Sequence, residues 1–221
     1  MLETLIKERI LILDGAYGTA LQGYHLTEAD YRGELFADHA HPLQGNHDLL
    51  CLTRPDVVQE VHASFLEAGA DIIATATYQA SFAGFKRAGC SEQEAAGLML
   101  RAVELARDAR DAFWLYEKNR KGRLKPLVAA SIGPYGACLH DGSEYHGDYD
   151  LDKQQLMDFH RPRMALLAHT DMDVFALETI PSLLEAEALL ELLKEFPERK
   201  ALLSFSCRDG MHVAHGEPFS Q

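Results

Sequence analysis

The sequence predicts an α/β protein on a parallel sheet, part of a (β/α)8 TIM barrel, and three observations carry that expectation. Five short apolar runs alternate with four segments of helical periodicity, the pattern of repeated strand–helix units. Parallel strands cannot be joined by a tight turn, so each crossover needs a helix laid on the sheet. A polar residue follows each run: Asp14, Thr77, Ser131, Glu178 and Ser206. An open doubly wound sheet would spread these residues along an edge, whereas a barrel gathers them at one mouth. Periodicity leaves both architectures open; the converging chemistry favours the barrel.

In chain order, residues 9–13 form a continuous apolar run ending at Asp14-Gly15, read as a strand buried on both faces. Pro55 opens a helix with the inner stripe Val58, Val61, Phe65 and Ala68, stopped by Gly69. Residues 71–77 are the second strand. Ser91 and Glu94 make a capping box for a helix whose buried face runs Ala95, Leu98, Ala102, Leu105, Ala109 and Phe113. The third strand, 127–131, leads through Gly133-Pro134 into a long polar loop ending near Asp150. The next helix carries Leu156, Phe159, Met164 and Leu167, and Pro162 is expected to kink or restart it. Strand four is 174–177. Ser182 and Glu185 read as another capping box, before the stripe Leu183, Ala186, Leu190 and Leu193 and a stop at Pro197. Strand five is 201–206. No repeat, low-complexity tract or linker divides the chain, so residues 1–221 read as one domain.

Of 221 residues, 47% are hydrophobic and 25% charged, enough to bury a core and far from a disordered composition. Lys and Arg number 21 against 34 Asp and Glu, a net charge of −13, which argues against nucleic acid or an anionic membrane as partner. No apolar run approaches the roughly 20 residues that span a bilayer. The N-terminal MLETLIKERI lacks a signal-peptide core, so the protein reads as cytoplasmic. Cys51, Cys90, Cys138 and Cys207 form no CxxC pair and read as small hydrophobes.

Three segments hold candidate chemistry. Asp14-Gly-Ala-Tyr-Gly-Thr19 sets backbone N–H groups to turn toward an anion while Asp14 faces an ammonium; a tight turn needing glycine for its backbone angles explains it as well. Glu178 follows an apolar strand, so it needs solvent or a cationic partner, either a substrate ammonium or a structural Arg or Lys. The loop 133–149 interleaves three tyrosines with Asp141, Glu144 and Asp148, a composition suited to a small cation and equally to a solvated loop. His39, His41 and His47 group without a metal-binding motif and read as exposed polar residues. Nucleophile motifs are missing.

The segments Leu13-Asp-Gly-Ala-Tyr-Gly-Thr19, Thr75-Ala-Thr-Tyr-Gln79, Ser131-Ile-Gly-Pro-Tyr-Gly136 and Glu178-Thr-Ile-Pro181 resemble the homocysteine S-methyltransferase family. Asp141-Gly-Ser-Glu-Tyr-His-Gly-Asp-Tyr149 and His160-Arg-Pro-Arg163 resemble its branch that uses S-methylmethionine. The stretches 24–38 and 45–50 are instead similar to the homocysteine module of cobalamin-dependent methionine synthase. The resemblance implies a (β/α)8 barrel, small-molecule substrates, and methyl transfer from a sulfonium donor to homocysteine sulfur to give methionine. It places Asp14 and Glu178 at the homocysteine ammonium, the backbone N–H groups near Gly15 and Ala16 at its carboxylate, and Thr77 along the mouth. It also implies zinc held by cysteines in GxNC-like and GGCC-like segments after strands six and eight. Neither occurs here, so no metal ligand is expected among these residues. The chain is expected to supply only the first five β units of the barrel, C-terminally incomplete and inactive alone. Two alternatives stand beside this: a module of a folate/cobalamin-type methionine synthase, and a non-catalytic fragment that holds amino acid weakly. Strands one and five, left as apolar edges, predict self-association.

Overall fold

The computed structural model describes residues 2–139 and 141–220. Its apolar runs form a four-stranded parallel sheet, β1 (Ile72–Ala74), β2 (Leu127–Ile132), β3 (Val174–Ile180) and β4 (Ala201–Phe205), in the order β1-β2-β3-β4. Ile72 pairs with Leu127, Ala129 with Val174 and Phe175 with Ala201. Strand order that follows chain order without reversing has no topological switch point, which fits a segment of a (β/α)8 barrel and not a doubly wound sheet.

Along the chain the helices are α1 (Leu2–Glu8), α2 (Tyr17–Gln22), α3 (Glu28–Arg32), α4 (Leu50–Thr53), α5 (Pro55–Ala68), α6 (Phe82–Arg87), α7 (Glu92–Leu115), α8 (Glu117–Arg120), α9 (Lys153–Ala168) and α10 (Leu183–Leu193). Because strand side chains alternate, Ile73, Val128, Phe175 and Leu177 share clusters with buried helix residues such as Leu66, Ala106, Met164 and Leu189. The other set, Ile72, Leu127, Ala129, Val174 and Ala176, forms a separate cluster against Leu2, Leu11 and Leu202. The segment between α2 and α5, unpatterned in sequence, contributes Tyr31, Leu43, Leu49, Leu50 and Cys51 to the helix-side core. Among the described residues, no helix is long and apolar enough to cross a membrane.

Several expected elements are corrected. The first strand shrinks to one parallel bridge, Leu13 to Ile72. Its ladder is cut at both ends by carboxylates: Asp71 accepts the Ile12 N–H at 3.0 Å and Asp14 accepts the Ala74 N–H at 2.7 Å. Nor is the run buried on both faces, since Ile10 is 83% exposed and Ile12 52%. In α5 the inner stripe is Val57, Val58, Val61, His62 and Leu66, while Ala68 faces out. His62 is buried, and its burial pushes the imidazole pKa down to about 4, so the ring is neutral. α9 runs unbroken through Pro162. The stripe of α10 is rotated, with Ala186, Ala188, Leu189 and Leu192 inside and Leu190 outside, because Glu185 points inward. For the same reason Ser182 caps α10 without the reciprocal half of a capping box. The Ser91–Glu94 box and the whole predicted stripe of α7 are present.

Phe175 is fully buried at the centre of the sheet. Phe175→Ala is expected to lower unfolding stability by about 3–5 kcal/mol, read from the midpoint shift in urea.

Candidate functional site

Alternation by two carries the inner face of the sheet from Ala129 to Ser131 and from Ala176 to Glu178, at the carboxyl ends of β2 and β3. At Glu178 the pairing of β3 with β4 slips between Leu177 and Ile180, and Thr179 takes a left-handed φ of 60°. A β-branched residue there is strained, and such strain collects at functional sites. The Ser131 hydroxyl donates to Glu178 Oε1. Burial pushes the Glu178 pKa up, and the Ser131 hydrogen bond offsets part of that. Asp14 stands beside β1, its Oδ2 taking the Ala74 N–H. Burial first, and then the Glu178 charge, raise its pKa to about 7 against the pull of that N–H. Two mutually repelling, poorly hydrated carboxylates therefore share one mouth, and no Lys or Arg among the described residues pairs with either.

Gly15 and Ala16 lie exposed between Asp14 and α2, and among the described residues neither N–H meets a protein acceptor. Glycine at 15 answers to space, not to a special φ: a Cβ there would stand 2.9 Å from Phe65 Cε1. Thr77 is sealed from solvent. Its hydroxyl donates to the Ser131 carbonyl at 2.7 Å and lies 2.7 Å from the Thr75 hydroxyl, lacing the end of β1 to β2. So the structure brings Asp14, Gly15, Ala16 and Glu178 to the mouth and sets Thr77 beneath it.

Sequence reasoning assigned no site role to Tyr78, Asp48, Arg163 or His160, and read Glu185 only as half of a capping box. Tyr78 hydrogen-bonds Thr179, and the charges of Glu144 and Glu178 both act on its hydroxyl, whose pKa burial raises first. Beneath it, buried Arg163 donates to the Ala80 carbonyl at 2.8 Å, to the Gly133 carbonyl, and to His160 Nδ1 at 2.6 Å. The opposite nitrogen, His160 Nε2, lies 2.8 Å from Glu185 Oε1, which also takes the Tyr135 N–H at 2.6 Å. Burial holds the His160 pKa down at about 4 with help from the Arg163 charge, so the neutral ring accepts at Nδ1 and donates at Nε2. Asp48, in a short turn before α4, accepts the N–H groups of Gln79 and Ala80, and burial raises its pKa to about 7. The sequence signals were the His160-Arg-Pro-Arg163 motif and the placing of its His and Arg, three apart, beside the apolar stripe of that helix.

In the loop 133–149, Tyr135 and Tyr149 pack edge-on at 5.1 Å and Tyr149 takes the Gly136 N–H at 3.0 Å, leaving Tyr145 67% exposed. His140 lies outside the described residues. The grouped histidines act as struts: His39 ring nitrogens lie 2.8 and 2.7 Å from the His41 and Ala88 carbonyls, and His47 Nδ1 lies 2.8 Å from the Tyr31 hydroxyl.

A family model described as homocysteine S-methyltransferase matches residues 11–221. The chain is 44% identical over 211 residues to homocysteine S-methyltransferase YbgG of Bacillus subtilis, covering 95% of this chain and 62% of that protein. It is 40% identical over 216 residues to the Escherichia coli homocysteine S-methyltransferase, covering 97% and 64% respectively. It thus spans less than two thirds of the length of these curated relatives. Among solved structures, the oxidized form of the homocysteine methyltransferase MmuM from Escherichia coli superposes with a TM-score of 0.83 at 40% identity, covering 98% of this chain and 69% of that one. The metallated form of the same protein gives 0.82 at 39%, covering 98% and 70%.

Two outcomes follow from this geometry. A Cβ on Gly133 would stand 2.6 Å from Cδ2 of the Tyr78 ring, so Gly133→Ala should displace Tyr78 and lower stability by about 1–3 kcal/mol, measured by urea unfolding with tyrosine near-ultraviolet dichroism as local reporter. The folded-state pKa of Asp14 lies above the unfolded one, so its contribution is whole below pH 3.8 and lost as pH rises through about 7. Asp14→Asn keeps an acceptor for Ala74; its melting temperature relative to the parent should climb between pH 4 and pH 8, and a flat difference would contradict the raised pKa.

Proposed function

The chain belongs to the homocysteine S-methyltransferase family, and from that premise we propose that it is the homocysteine-binding barrel domain, residues 1–221, of an enzyme that methylates homocysteine sulfur. The single observation that carries the reading is the unpaired carboxylate couple at the mouth. Asp14 and Glu178, raised in pKa and without a protein cation, suit the α-ammonium of an amino acid. The exposed N–H groups of Gly15 and Ala16 suit its carboxylate, and Thr77 shapes the floor by fixing Ser131. We take S-methylmethionine as donor. In the transfer the homocysteine sulfur bonds the methyl carbon, the broken C–S bond returns its electron pair to the sulfonium, two methionines result and the thiol proton goes to solvent.

Zinc, which the family likeness implies as holder of the thiolate, does not fit the residues present. Such a site needs three protein ligands. Three of the four thiols are free and buried, Cys207 is exposed, and among the described residues no three His, Cys, Asp or Glu groups converge to hold a metal. No step proposed for this chain runs through the metal; its own residues bind and orient the amino acids. That mismatch also favours a second reading, a unit that binds homocysteine without turning it over. The four free thiols suit a reducing compartment, and we place the protein in the cytoplasm. The apolar run at Ile10 and Ile12 and the half-exposed β4 form the surface through which we expect self-association.

Calorimetric titration with homocysteine should show saturable binding that weakens at least tenfold in Asp14→Asn and in Glu178→Gln. Binding should tighten from pH 6 to pH 8 with proton release, because the ammonium favours the ionised Asp14. No binding, or binding indifferent to both variants, would overturn the reading. Methionine formation from homocysteine with S-methylmethionine, compared with methyltetrahydrofolate, separates the donors and a catalytic from a binding role. Light scattering should give a mass above that of a 24.6 kDa monomer.

A further inference from the structure

Two segments far apart in the chain meet at the end of β3, and one imidazole stands between them. The first is the loop 141–149, whose Glu144 and Tyr145 act on the Tyr78 hydroxyl beside the mouth. The second is the turn after β4, residues 206–217, folded back on itself by the bridge of Cys207 to Val213. Backbone fixes this turn: the His215 N–H donates to the Pro181 carbonyl at 2.9 Å and the Ala214 N–H to the Ser206 carbonyl at 2.8 Å. The loop rests against it where the Ser206 hydroxyl donates to the Glu144 carbonyl at 3.3 Å. It also does so at Gly147, where a Cβ would stand 2.9 Å from Pro181 Cβ and 3.5 Å from His215 Cβ.

The His215 ring lies between two carboxylates, one on each segment. Its Nδ1 is 2.9 Å from Glu217 Oε2 and its Nε2 3.6 Å from Asp148 Oδ1. Glu217 is pinned by its other oxygen, which takes the Leu183 N–H at the start of α10 at 3.3 Å. Its Oε2 is closed off from solvent and accepts no hydrogen bond among the described residues, so the neighbouring imidazole is in place to answer its charge. The other charges nearby are engaged within their own segments. His146 Nδ1 accepts the Asp148 N–H at 3.1 Å and lies 3.4 Å from Asp148 Oδ2. Arg208, whose Nη1 would lie 3.3 Å from a Cβ on Gly216, pairs with Asp209 at 3.8 Å, and Asp209 also holds His212. A neutral imidazole has one N–H, so it serves one carboxylate and turns a lone pair on the other; the imidazolium gives an N–H to each.

We propose that His215 is a proton-operated clasp. Charged, it ties Asp148 of the loop to Glu217 of the turn; neutral, it lets the loop part from the turn. The change reaches the mouth because the clasped loop carries Glu144 and Tyr145 toward Tyr78. The clasp works in this way whichever ligand the mouth takes.

Hydrogen exchange of the chain by mass spectrometry, expressed as protection relative to the unstructured rate at each pH, tests the clasp. Imidazoles change charge between about pH 5 and 8, so the loop is compared at pH 5.5 and pH 8. Protection of peptides spanning 143–149 should fall about threefold over that range, the size expected for ion pairs this exposed. His215→Gln keeps a donor and an acceptor but cannot gain a proton, and it should hold the loop at the looser level at both pH values. Asp148→Asn should do the same, whereas His146→Gln should leave the parent profile intact. The His215 ring resonance should titrate with the same midpoint as the loop, and protection of α7 shows that each variant is folded. A flat profile in the parent, an undiminished one in His215→Gln or Asp148→Asn, a separate midpoint for the ring, or loss of the pH dependence in His146→Gln would overturn the proposal.

Discussion

The mouth of this protein hangs on one buried guanidinium. Arg163 gives its N–H groups to the carbonyl of Ala80 after β1, the carbonyl of Gly133 after β2 and the ring of His160 on its own helix. His160 in turn contacts Glu185 at the start of α10, directly after β3. Three strand-end loops are thereby coupled through one continuous hydrogen-bond chain. Burial draws the Arg163 pKa down to about 10, still charged at neutral pH, with Glu185 and Asp48 among the nearby negative groups that oppose the shift. Removing one member of such a network leaves the others buried without partners, so its parts stand or fall together.

What this coupling holds in place is an arrangement that costs stability. Asp14 and Glu178 are kept half-buried beside each other with their pKa values raised, Thr179 is held at a left-handed φ, and Gly133 lets the Tyr78 ring lie against the backbone. None of these helps the fold. They leave two carboxylates at one mouth without a protein cation among the described residues, and the proposed reading as an amino-acid site rests on that imbalance.

Much of the architecture was legible because sheet burial writes itself into sequence. Residues 127–130 and 174–177 are apolar throughout because both faces are covered, and α7 shows its whole inner stripe and its capping box. The failures have local causes. Residues 9–13 are as apolar as a central strand, yet the ladder stops where Asp14 and Asp71 take backbone N–H groups with their side chains. Ser182 and Glu185 have capping-box spacing, but a buried imidazole and the Tyr135 N–H claim the Glu185 carboxylate instead.

The sequence by itself determined the class of fold, the order of its units, and the presence of Asp14 and Glu178 at strand ends, because each depends on contacts between residues close in the chain or on simple periodicity. Only the tertiary structure decided that Thr77 turns inward to lace two strands and that Arg163 and Glu185 are buried supports. Those outcomes depend on which groups from distant segments, 30 to 83 residues apart in the Arg163 contacts with Gly133 and Ala80, compete for the same hydrogen bond. No local pattern records that competition, since its result is fixed by the geometry of the packed chain.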